Sequence, residues 1–211
     1  MKHLIIIGAR GAGREAYDRA PSFCGYGTEF DIKGFLDDKA DALDGMPGYP
    51  PILSSVEDYS PKPDEVFICA LGDPHWRQVY ADKILRKGGE FISLIDKTAT
   101  IGHNSVIGKG CIIHQLVSIS PDVRIGNFAY IQGVCVVGHD AVIGNYCLLN
   151  SFSFMGGYSV LEDFAVLQTH ATLLPHKRVG AHAVVGAGSV AVRNVKAGTT
   201  VVGVPAVRLK Y

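Results

Sequence analysis

The chain has 211 residues, enough for one large domain or two small ones. Twenty basic side chains balance twenty acidic ones, so no overall field draws it to nucleic acid or to an anionic membrane. No run approaches the ~20 apolar residues that span a bilayer, and the apolar opening stops at Gly8, too early for a secretory leader; a soluble cytoplasmic protein is the expectation.

His3 to Ile7 predicts a buried strand that ends in Gly8-Ala9-Arg10-Gly11-Ala12-Gly13, with a helix following to about Ala20, before Pro21. Strand, glycine turn and helix together bring a phosphate to N–H groups at a helix N-terminus, which makes Gly8, Gly11 and Gly13 candidate ligand contacts. A second strand, Ile32 to Leu36, ends at Asp37-Asp38, where carboxylates can accept from a ribose or a base. Residues Asp38 to Pro51, rich in glycine and proline, are predicted as a loop over the sheet edge. Glu65 to Leu71 predicts a third strand ending in Gly72-Asp73. A helix from about Pro74 to Lys87 then carries Trp76, Tyr80 and Ile84 on one face, and Phe91 to Leu94 returns to the sheet. The glycine spacing, G-x-x-G-x-G, differs from the dinucleotide fingerprint G-x-G-x-x-G, and the length before residue 95 leaves no room for a second mononucleotide half. Residues 1–94 are therefore predicted as an α/β half-Rossmann βαβαβ domain for one nucleotide, with Gly72 a further contact. The alternative is a glycine turn that binds nothing.

From Ile95 the chain changes character. Taken in sixes, the first residue of every hexad from Ile95 to Val185 is aliphatic, sixteen in all, and the fifth is small in fifteen, Lys177 being the exception. Glycine holds the second position in eight. A helix repeats at 3.6 and a flat strand at 2, whereas a frame of six with two inward positions fits a parallel β-helix: each hexad is one strand and one corner, and three hexads close a triangular coil. Residues 95–211 are predicted as a second domain, a prism roughly 25 Å long at ~4.8 Å per coil with a C-terminal cap. Cys111, Cys135 and Cys147 fall on the inward small position and are accounted for as core residues, not as a bridge or zinc framework. Lys177, within Pro175-His176-Lys177-Arg178, predicts a corner bulged outward. The third and fourth positions of a hexad face outward at the corner, so two consecutive residues there can sit together facing a neighbour.

A half-nucleotide domain followed by stacked hexads resembles the bacterial acyltransferases with a left-handed β-helix, and in particular the sialic acid O-acetyltransferase and UDP-4-amino-sugar N-acetyltransferase group. The resemblance is carried by the glycine turn at 8 to 13, Phe35-Leu36-Asp37-Asp38, Gly138-His139-Asp140 and Gly203-Val204-Pro205-Ala206. It implies left-handed coils, a homotrimer, and acetyl transfer from acetyl-CoA in clefts between prisms, with no metal. His139 would be the general base and Asp140 its orienting carboxylate. Imidazole, with an ordinary pKa of ~6.5, can take a proton from an amine or hydroxyl near neutral pH, and a carboxylate fixes its tautomer. Gly157, one coil beyond His139, would give its N–H to the thioester oxygen as that oxygen becomes an oxyanion. CoA would run along the prism near Gly186-Ala187-Gly188, with Arg208 and Lys210 near its phosphates.

The chain departs from the group at two positions where sugar acetyltransferases carry histidines: Ala12 in the glycine turn and Leu148 nine residues after the base, Asn150 being a polar substitute nearby. His103, His114, His170, His176 and His182 occupy different hexad positions and are predicted as surface or satisfied corner residues. The zinc trio that gamma-class carbonic anhydrases place on this prism is not matched, since His139 has no histidine at 134 or 144. Two other readings stay open: O-acetylation of sialic acid or another sugar hydroxyl, and a trimeric nucleotide-binding protein without catalysis.

Overall fold

Leu4, Ile5, Ile6 and Ile7 have no polar side chain to offer water, and they form the buried part of β1 (Lys2–Ile7), the middle strand of a five-stranded sheet. In the order across the sheet, β3 (Ile52–Ser54), β2 (Phe30–Leu36), β1, β4 (Glu65–Cys69) and β5 (Glu90–Phe91), every neighbouring pair is parallel. A parallel strand covered on both faces needs continuous apolar sequence, which β1 and β4 supply. Helix α1 (Gly11–Asp18) follows β1, and α2 (Pro74–Arg86) follows β4. Helix α1 is shorter than the pattern predicts, because Pro21 starts a separate 3₁₀ turn over Ala20–Ser22. Strand β3 lies just past the stretch read as a loop; three residues are too few to show a period.

The computed structural model describes residues 1–209, which fall into two compact units, Met1–Leu94 and the remainder from Ile95. Inside the first, β4 opens on a buried charge. Glu65 is 2% exposed, and it accepts from Lys33 Nζ at 2.7 Å, Tyr59 OH at 2.7 Å and Lys62 N–H at 2.9 Å. Burial raises its pKa, but these donors outweigh burial and hold the carboxyl below its usual range.

In the second unit each hexad gives a two-residue strand and a corner. Strands eighteen residues apart pair in parallel, Ser118 opposite Val136, Arg124 opposite Val142 and Tyr130 opposite Leu148, and three such sheets wall a prism. The first hexad residues from Ile113 to Val185 are buried, as are Cys111, Cys135 and Cys147 on the small position. Ile101, in the first coil, is 38% exposed because no coil of the prism lies beneath it.

The corners impose a condition that the hexad pattern does not display. From Asn104 to Gly188 the fourth residue of every hexad has φ near +60°, and thirteen of these residues are not glycine. A left-handed residue with a Cβ costs on the order of 1 kcal/mol, and contacts between coils offset it. Phe128, Tyr146, Phe164 and His182 stack in one column, with ring centroids 4.9, 5.1 and 4.5 Å apart. At the third position on the same edge, the main-chain N–H groups of Lys109, Asn127 and Asn145 donate to the side chains of Asn127, Asn145 and Asp163, each one coil on.

The bulge expected at Lys177 does not form. Arg178 and Val179 pair in register with Val160 and Leu161, and the Lys177 carbonyl accepts the Val160 N–H at 2.9 Å. On the other side the Gly180 N–H reaches the Val195 carbonyl. Main-chain pairing with both neighbouring turns holds the corner, and the flexible, partly exposed lysine side chain absorbs the mismatch.

Candidate active site

Strand Val136–Val137 leads into Gly138-His139-Asp140, and its pairing with coils on both sides fixes that corner. Asp140 is the left-handed residue, φ 56°, and its Oδ2 lies 2.8 Å from Nδ1 of His139. The two side chains are 58% and 39% exposed. With Nδ1–H donating to the carboxylate, Nε2 is the nitrogen left with a lone pair. One coil on, Gly157 lies against the imidazole: a Cβ there would sit 2.8 Å from Nε2 and 2.9 Å from Cε1. Close approach, not φ, is what requires glycine. Among the described residues nothing accepts the Gly157 N–H, although Gly156 and Tyr158 on either side donate to the carbonyls of Leu173 and His139. Tyr158 meets the His139 ring edge-on, centroids 5.1 Å apart, and stacks on His176 at 5.0 Å.

The residues expected along CoA lie elsewhere on the prism. Gly186, Ala187 and Gly188 follow strand Val184–Val185, whereas His139 and Gly157 follow strands of a different sheet, so the two groups occupy different edges. Ala187 and Gly188 are exposed; Gly186 is buried, where a Cβ would sit 2.6 Å from Val202 Cγ1. A single prism does not bring the two groups together. Arg208 is exposed in a short antiparallel pair with Val201, and Lys210 lies outside the described residues. Leu148 is buried, and Asn150 donates to Gln168 Oε1 at 2.8 Å, so its amide is engaged within the prism. His170 stacks on Phe152, while buried His114 has Nε2 3.1 Å from the Tyr130 hydroxyl. Among the described residues, no group of three or more His, Cys, Asp or Glu side chains is placed to hold a metal.

In the first unit, Gly8, Asp37, Asp38 and Gly72 line a cavity of about 510 Å³. It opens outside the carboxyl ends of β1, β2 and β4, the place where parallel sheets take ligands. Gly13 serves packing instead: a Cβ there would lie 1.7 Å from the Gly8 carbonyl oxygen, so α1 can leave β1 this closely only through glycine. Gly11 has open space around it. Asp37 Oδ2 accepts the Ala9 N–H at 2.8 Å, and Asp38 accepts the Val56 N–H at 3.1 Å and the Tyr80 hydroxyl at 2.7 Å. That hydrogen bond to Asp38, aided by burial, pushes the Tyr80 phenol up to about 12, so it remains a donor at neutral pH. Arg10, Trp76 and Tyr80 also line the cavity, and sequence reasoning did not single them out as site residues. Trp76, Tyr80 and Ile84 share a helical spacing, but only Ile84 is buried, and Trp76 is 52% exposed.

The family described as the PglD N-terminal domain matches residues 3–84, and the family described as the GMPPB C-terminal domain matches residues 92–190. No curated protein matches the chain in sequence. Among solved structures, PerB from Caulobacter crescentus in complex with CoA and GDP-perosamine is 25% identical with a TM-score of 0.87, over 100% of this chain and 98% of that one. WeeI from Acinetobacter baumannii AYE is 26% identical with a TM-score of 0.84, over 99% and 100%. The acetyltransferase domain of PglB from Neisseria gonorrhoeae FA1090, at 22% identity, shares the fold with a TM-score of 0.89 over 99% and 100%. A half-Rossmann unit followed by a left-handed parallel β-helix is the shared plan, and in it the chain is similar to acetyltransferases of the sugar N-acetyltransferase group.

Proposed function

We propose that the protein transfers the acetyl group of acetyl-CoA to the amine of a nucleotide-activated amino sugar, with His139 as general base. The observation that carries this reading is the His139–Asp140 pair, its Nε2 on the side of Gly157, whose N–H has no acceptor among the described residues. The neutral amine attacks the thioester carbonyl, forming the C–N bond, while Nε2 takes the proton the nitrogen sheds. Asp140 holds the ring and stabilises the imidazolium. The carbonyl oxygen becomes an oxyanion facing the Gly157 N–H, and on collapse the C–S bond breaks and the imidazolium returns its proton to the departing thiolate.

The N-terminal cavity supplies the nucleotide site in this reading, with Gly8, Gly11, Asp37, Asp38 and Gly72 around the ligand and Gly13 shaping the turn. The match to a protein solved with CoA and GDP-perosamine supports both a CoA co-substrate and an amino sugar carried on a nucleotide. A homotrimer completes the site: set side by side, copies bring the edge bearing Ala187 and Gly188 of one prism to the His139 edge of the next, and CoA lies between them. Exposed Leu116, Val134, Phe152 and Phe154 are apolar surface for that contact. Among the described residues no helix is long and apolar enough to cross a membrane. A cytoplasmic site of action fits five free cysteines, four of them buried.

Release of free thiol from acetyl-CoA, followed with a panel of UDP- and GDP-linked amino sugars and with free sialic acid, tests the reading. Turnover is expected with a nucleotide-linked amine. Turnover with free sialic acid alone would replace it with O-acetylation, and failure of acetyl-CoA to bind would remove catalysis altogether.

A further inference from the structure

The group's histidine in the glycine turn is absent here, Ala12 standing in its place, yet the cavity beside that turn is lined by an indole and two cations, Arg10 and Lys39, the latter 3.6 Å from Asp41 Oδ1. We propose that Arg10 grips the diphosphate of the substrate and that Trp76 is the platform on which its base stacks. The proposal rests on the nucleotide-linked acceptor argued above and names the side chains of this chain that recognise it.

Both α1 and α2 begin at the cavity, after Arg10 and Asp73 respectively, but they begin differently. Asp73 caps α2 itself, its Oδ1 accepting the N–H groups of His75 at 2.8 Å and Trp76 at 3.3 Å. That end is already satisfied and carries a negative charge, so an anion is not drawn there. Helix α1 has no side-chain cap, and its first residue, Gly11, has open space where a Cβ would point. An uncapped helix start beside an arginine suits a diphosphate, since guanidinium forks onto phosphate oxygens and the main-chain N–H groups point the same way. Arg10 is exposed and borders the cavity.

With the diphosphate at α1, the rest of the nucleotide runs toward α2. Asp37 and Asp38 come next, and carboxylates accept from ribose hydroxyls. Trp76 follows on α2, half exposed, with its indole 6.1 Å from the Tyr80 ring, which is itself anchored to Asp38. His75 meets the indole edge-on at 5.3 Å, and the ring still keeps half its surface exposed at the rim of a concave, partly charged cavity. A heteroaromatic base is the flat, weakly hydrated group that fills such a place, and the volume is ample for a nucleotide.

Trp76 is the single tryptophan of the chain, so its fluorescence reports this cavity alone. Titration of the full-length protein with UDP and with GDP is expected to change Trp76 emission saturably with at least one of them. By calorimetry, Trp76→Ala is expected to weaken that nucleotide by roughly 5- to 100-fold, the range of a lost base–aromatic stack, while Trp76→Phe keeps most of the affinity. Arg10→Ala is expected to weaken the diphosphate by about tenfold or more and to leave the corresponding nucleoside unchanged. Both side chains lie at the surface, and thermal unfolding checks that the variants keep the fold. Nucleotide binding by Trp76→Ala at wild-type strength, with no change in wild-type emission, overturns the proposal while the enzyme reading stands. Binding of neither nucleotide, with acetyl transfer to a free sugar, overturns both.

Discussion

His139, Asp140 and Gly157 meet because the chain repeats: two are adjacent in sequence and the third is one eighteen-residue coil away. Asp38 and Tyr80 meet, forty-two residues apart, only because a parallel sheet and a helix have both formed. The prism therefore places its chemical groups by local rule, one turn type used repeatedly, while the N-terminal unit places its own by tertiary pairing. The difference teaches where each is vulnerable. A corner tolerates an odd residue such as Lys177 because the turns above and below hold it. A cavity assembled from three strand ends depends on every element that brings them together.

The sharpest separation of chemistry from fold is His139→Ala. The side chain is 58% exposed and is part of no core, so thermal unfolding is expected to be unchanged while acetyl transfer falls by about 10²- to 10⁴-fold, the usual worth of a positioned base. The converse is Leu149→Ala, fully buried in the prism, which is expected to cost ~2–5 kcal/mol of stability by denaturant unfolding. Gly157→Ala should fall between: its new Cβ displaces the imidazole from a position 2.8 Å away, and kcat is expected to drop by about 10²-fold with little loss of stability.

Much of the prism is legible in the sequence because large and small inward residues recur in one frame, and each is buried for the reason its size implies. The left-handed fourth residue is not legible. Leu116, Val134 and Phe152 carry no mark of positive φ, and what makes the conformation tolerable, stacking and pairing between coils, exists only once the coils are superposed. The pair His139–Asp140 is visible as a dipeptide, and Gly157 through its spacing. In the first unit the glycine turn and the two aspartates are visible as strand ends. Trp76 and Tyr80 are not visible as site residues, because helical spacing alone does not distinguish a core face from a cavity rim.

Two smaller effects probe the N-terminal unit. Glu65 is expected to give it an acid limb: the carboxyl is held below its usual range, so its stabilisation is complete above the ordinary glutamate pKa and disappears as pH falls through the folded value. Unfolding followed between neutral and acid pH should show that limb flattened in Glu65→Gln. Tyr80→Phe removes one hydrogen bond to Asp38 and is expected to weaken nucleotide binding by ~1 kcal/mol or less, without affecting the rate at saturating acceptor.

A crystal structure of the protein with CoA and a nucleotide-linked amino sugar decides most directly whether His139 is the base. The amine is expected within ~2.6–3.2 Å of His139 Nε2, as proton transfer requires, with the CoA sulfur beside the Gly157 N–H in a groove shared with a second copy. An amine held against another group, with His139 facing solvent, would contradict it.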